Sequence, residues 1–92
     1  MPPVEFTSTD PCTGAVIWRG APGDVPAAVA AARAALPAWA LAPLASRIAV
    51  VRAFKAVVEA RAEDFARLIA TETGKPLWET RTEVASVAAK VE

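Results

Sequence analysis

Ninety-two residues, 54% hydrophobic and 22% charged, leave room for one domain or a piece of a larger one, and exclude a disordered polar tail. Ten basic and ten acidic side chains give a net charge of zero, without the positive excess by which nucleic-acid binders displace phosphate counterions. With one Cys and no His, neither an internal disulfide nor a classical zinc, Ser-His or Cys-His arrangement can be built from this chain.

The opening Met1-Pro2-Pro3-Val4-Glu5 has no basic stretch followed by an apolar one, so no secretory signal is expected. Charged residues interrupt every apolar run before the roughly 20 residues that a membrane span needs. The expected location is cytoplasmic, and the single Cys favours a reducing compartment. No nucleic acid and no membrane is expected as a partner.

Residues 4–20 predict two short strands. Glu5-Phe6-Thr7-Ser8-Thr9 alternates loosely, Asp10-Pro11-Cys12-Thr13-Gly14 supplies a five-residue turn, and Ala15-Val16-Ile17-Trp18-Arg19 is rich in β-branched and aromatic residues. A lone hairpin is marginal in water and has to lean on another element.

Residues 24–92 read as helical. Asp24 is an N-cap before Val25-Pro26, and the Ala-rich run that follows predicts a first helix over 24–36, with Pro37 stopping or kinking it and Trp39 just beyond. Pro43-Leu44 opens a second helix with an apolar stripe at Leu44, Ile48, Val51, Phe54 and Val58, and Lys55-Glu59 is placed to pair across one turn. After a break near Arg61-Ala62 a third helix carries Glu63 and Asp64 in its first turn and Phe65, Leu68 and Ile69 on one face. Gly74 is its C-cap and Pro76 prevents continuation. A fourth helix starts at Leu77 with Val84, Val87, Ala88 and Val91 on one side, and its period continues through Glu92 with no stop signal. A chain that ends inside a periodic helix reads as a single incomplete segment. Three Trp among so many Ala point the same way, because large rings need large partners.

Few residues could carry chemistry. Cys12 is the one nucleophile of note, but it sits in a turn with no His to activate it. Glu79 and Glu83 have the spacing of paired carboxylates, yet no third ligand joins them, and a solvated face or bridges to Arg81 or Lys90 is the plainer reading. Gly74-Lys75-Pro76 lacks the earlier glycine and the following Ser or Thr of a phosphate loop. Arg47, Arg52, Arg61 and Arg67 are balanced by Glu59, Glu63 and Asp64. No residue of this chain is assigned a catalytic, cofactor-binding or metal role.

The order of the motifs carries the reading further. A strand entering Asp10-Pro11-x-Thr13-Gly14, then Val16-Ile17, the Ala-rich helix to Trp39, the Arg47-x4-Arg52 helix and Glu72-Thr73-Gly74-Lys75-Pro76 resemble, in that order, the N-terminus of the aldehyde dehydrogenase superfamily. Phe6 to Pro11 and Lys75 to Val84 are similar to the branch that acts on N-succinylglutamate 5-semialdehyde. The resemblance spans essentially the whole chain. It departs at Asp10, where Asn is usual, at Cys12, where a small residue is more common, and at Ala45-Ser46, where acidic residues are usual.

The resemblance implies a mainly α segment, about four helices after a β-hairpin, that is the N-terminal part of an α/β NAD-binding domain. It implies a parent oxidoreductase of arginine catabolism, homo-oligomeric, in which a Cys thiolate attacks the aldehyde, hydride passes to NAD, and a Glu-activated water hydrolyses the thioester. Nucleophile, activating Glu and cofactor site belong to later parts of the family's chain, so none maps onto a residue here, Cys12 included. The remainder of the same polypeptide is the implied partner, facing the apolar stripes of helices two to four. The helix after Gly74-Lys75-Pro76 runs near the substrate entrance, where Arg81 or Val87 would influence access. The 92 residues alone are expected neither to bind NAD tightly nor to reduce it. The rival readings are a helical interaction module that buries its stripes by self-association and an Ala-rich scaffold for a partner, both ending their last helix with a stop signal.

Overall fold

A computed structural model describes residues 4–92 of the chain. Two strands precede four helices: β1 (Phe6–Thr9), β2 (Val16–Gly20), α1 (Val25–Leu41), α2 (Leu44–Ala60), α3 (Ala62–Thr73) and α4 (Leu77–Ala89). The mainly helical fold behind an N-terminal hairpin agrees with the sequence. The first three residues of the proposed non-signal N-terminus lie outside the described residues.

β1 and β2 pair antiparallel, and the pairing shifts by one residue after Ser8↔Trp18, so Ile17 is an unpaired bulge residue before Thr9↔Val16. The turn between them closes through local bonds. Asp10 Oδ1 accepts from the Cys12 N–H at 2.8 Å, the Gly14 N–H donates to the Asp10 carbonyl, and Gly14 takes φ 77°. Phe6 and Trp18 touch diagonally across the strands, ring centroids 5.0 Å apart. The Trp18 ring also covers the backbone of Gly20 so closely that a Cβ there has no room. Even so, Phe6 and Trp18 are about half exposed, and the hairpin gains its support at the turn: Ser8 donates to Glu72 at 2.8 Å, and Pro11 and Cys12 lie against Gly74.

α1 starts as its sequence dictates, with Asp24 accepting from the Ala27 N–H at 2.9 Å. It does not stop before Pro37 but continues to Leu41. Pro37 costs the helix one N–H donor, yet Ala35, Ala38 and Ala40 keep propensity high around it. The stop is instead Pro43, before which Ala42 turns extended and donates to the Trp39 carbonyl. Trp39 is thereby carried inside α1, where it shares a cleft with Leu44, Ile48 and Val51 of α2. No α1 residue is buried.

α2 and α3 are separated by Arg61 alone, at φ −111° and ψ 20°, whose guanidinium lies 5.2 Å above the Phe65 ring. Gly74, left-handed at φ 77°, closes α3 by donating to the Ala70 carbonyl. Pro76 then opens α4. The fourth helix does not run through Glu92. Its last assigned residue is Ala89; the Lys90 N–H still makes the helical i→i−4 bond to the Ser86 carbonyl, and the Val91 N–H closes onto the Ala88 carbonyl. Glu92 is drawn instead to Arg52 and Lys55 of α2, at 3.2 and 3.5 Å.

The core is small: Val58 of α2, Ala66 of α3, and Val84 and Ala88 of α4, with Ala62, Phe65, Ile69 and Leu77 at its edge. The predicted stripe of α2 is real in spacing, but Leu44, Ile48, Val51 and Phe54 are 39–63% exposed and only Val58 is enclosed. Leu68 and Val87, predicted to share apolar faces of α3 and α4, are likewise about half exposed. The molecule is a layer 48 × 43 × 15 Å with a radius of gyration of 17.4 Å, against about 12 Å for a compact domain of this length.

Thr80 is the one fully buried polar residue among those described. Its hydroxyl donates to the Ala66 carbonyl across the α3–α4 contact at 2.8 Å, with Leu77 O at 3.1 Å as the local alternative. Replacing that hydroxyl with a methyl removes a buried bond worth about 1 kcal/mol at nearly constant volume. Thr80→Val is expected to raise the native-state tryptic cleavage rate at Arg81 about five-fold, the equivalent of that energy.

Candidate functional site

The polar side chains gather at the α3–α4 corner. Glu63, in the first turn of α3, receives both arms of Arg81 from α4, Nε at 3.0 Å and a terminal nitrogen at 2.7 Å. Arg67, one turn on from Glu63, joins at 3.1 Å. At the other end of the corner the Lys75 ammonium closes onto Glu83. A third cluster joins Arg52 and Lys55 of α2 to Glu92, and Lys55 also reaches Glu59 at 3.8 Å.

These contacts set the ionisation of their members. The two-armed hydrogen bond from Arg81 holds the Glu63 carboxyl below its ordinary value, with Arg67 adding to the effect, and Glu63 in turn raises Arg81. Glu83 raises Lys75, and Arg52 followed by Lys55 lowers Glu92. All of these groups remain in contact with water, so their pairing orients the helices more than it stabilises them.

The structure distributes the residues singled out in the sequence. Glu79 and Glu83 do not work together: Glu83 belongs to Lys75, and Arg81 turns away from both towards Glu63. Lys75 follows a glycine at the carbonyl end of α3, whose partial negative charge disfavours a phosphate. Cys12 is exposed in the hairpin turn beside Gly74. Val87 is about half exposed on α4. Among the described residues no group of three or more His, Cys, Asp and Glu could hold a metal ion, and no helix is long and apolar enough to cross a membrane.

Two features of the corner escaped the sequence. Thr80 stands four residues before Val84 and eight before Ala88, a polar member of an apolar row, and that spacing was the available signal. The Glu63–Arg81 pair joins residues 18 apart in the chain, and no local pattern specifies it.

The aldehyde dehydrogenase family profile matches residues 3–92, and the chain belongs to that family. The chain is 55% identical over 92 residues to the N-succinylglutamate 5-semialdehyde dehydrogenase of Novosphingobium aromaticivorans, covering 100% of this chain and 20% of the relative. It is 52% identical over 90 residues to N-succinylglutamate 5-semialdehyde dehydrogenase 2 of Caulobacter vibrioides, covering 95% of the chain and 19% of the relative. The enzyme of the same name from Sphingopyxis alaskensis is 53% identical over 88 residues, 96% of the chain and 18% of the relative. The chain thus spans about one fifth of the length of the curated relatives it matches.

The family implies a nicotinamide cofactor, and the residues described here do not fit one. The glycine-lysine pair that could face a pyrophosphate lies at a helix C-terminus, with its ammonium already paired to Glu83.

Glu63 gives the corner an acid limit. Its lowered value means that the Arg81 contact stabilises the fold above the ordinary Glu value of 4.5 and is lost as pH falls through the folded-state value. Hydrogen exchange of the α3–α4 amides, corrected for intrinsic rate, is expected to accelerate over that window in the complete polypeptide. Glu63→Gln should reduce the acceleration, whereas Glu59→Gln should leave it in place.

Proposed function

We propose that the polypeptide carrying these residues is an NAD-dependent aldehyde dehydrogenase that oxidises N-succinyl-L-glutamate 5-semialdehyde to N-succinylglutamate in arginine catabolism. The observation that carries this reading is 52–55% identity along essentially the whole chain to relatives bearing that name. In this reading the enzyme is cytoplasmic and homo-oligomeric. Residues 1–92 form one incomplete segment, the N-terminal part of its NAD-binding domain, and their role is structural. The nucleophile, the activating carboxylate and the cofactor site are supplied by other parts of the polypeptide.

Within that role the α3–α4 corner holds α4 in place. Its geometry favours a clamp for Arg81 over a part in substrate access, because the guanidinium is committed to Glu63 through two bonds.

The test is an assay of the complete, purified polypeptide for reduction of NAD and NADP, followed by nicotinamide absorbance. N-succinylglutamate semialdehyde is expected to give the highest kcat/KM with NAD, well above unsubstituted short aldehydes. Arg81→Ala is expected to leave the KM for the aldehyde unchanged. A complete polypeptide that turns over other aldehydes equally well would remove the substrate assignment, and one that turns over none would remove the enzyme.

A further inference from the structure

We draw no further inference here: the strongest candidate, the cleft between α1 and α2 lined by Trp39, Leu44, Arg47, Ile48 and Val51, where the buried Nε of Arg47 has no hydrogen-bond partner among the described residues, opens on the apolar stripe of α2, and nothing in the structure shows what covers it.

Discussion

A single hydroxyl on the core side of α4 sets how closely that helix approaches α3. Ala66 is the smallest side chain that still has a Cβ, and its full burial lets Thr80 come near enough to donate to a backbone carbonyl in mid-helix. A larger residue at 66 would separate the helices and leave the hydroxyl with only its own-helix partner, at a cost of about 1 kcal/mol for the lost bond. Val84 and Ala88, one and two turns further along, then meet Val58 of α2. The position of α2 therefore follows from the α3–α4 contact.

The electrostatic contacts refine that packing. Exposed ion pairs contribute little, but a two-armed Arg–carboxylate contact has only a narrow range of acceptable geometries. Glu63–Arg81 thus limits rotation of α4 about its own axis, and Lys75–Glu83 limits it at the opposite end of the corner. The hairpin depends on the same place. Its strands bury little, and its turn rests on Gly74 with Ser8 bonded to Glu72, so a shift of the α3–α4 junction removes the hairpin's support. One consequence is a segment with its polar contacts made and much of its apolar surface still open.

Much of this was legible in the sequence because it depends on residues close together in the chain. Asp24, Gly14 and Gly74 act through bonds spanning three or four residues, and each acts as its type requires. The motif order from Asp10 to Pro76 was enough to indicate the family. Pro37 misled, because local propensity treats an interior proline as a stop while flanking alanines carry the helix to Leu41. The final helix keeps its helical bond as far as Lys90, as its period suggests, but the contacts of Glu92 with Arg52 and Lys55 of α2 are ones that periodicity cannot reveal. The burial of Thr80 and the Glu63–Arg81 pair were hidden in the same way, since both depend on how α3 crosses α4. The candidate carboxylate pair at Glu79 and Glu83 fails because spacing fixes a face of a helix but not the partner that faces it.

The central claim is that the α3–α4 contact is the element on which the hairpin and α2 are assembled. Native-state hydrogen exchange of the complete polypeptide in increasing, sub-denaturing urea tests it most directly, because it ranks the opening of each element. Amides around Ala66 and Thr80 should be the last of these residues to exchange, with the hairpin amides from Ser8 to Gly20 opening before them or with them. Hairpin amides that stay protected after the α3–α4 amides have exchanged would show that the hairpin stands on something else, and would contradict the account.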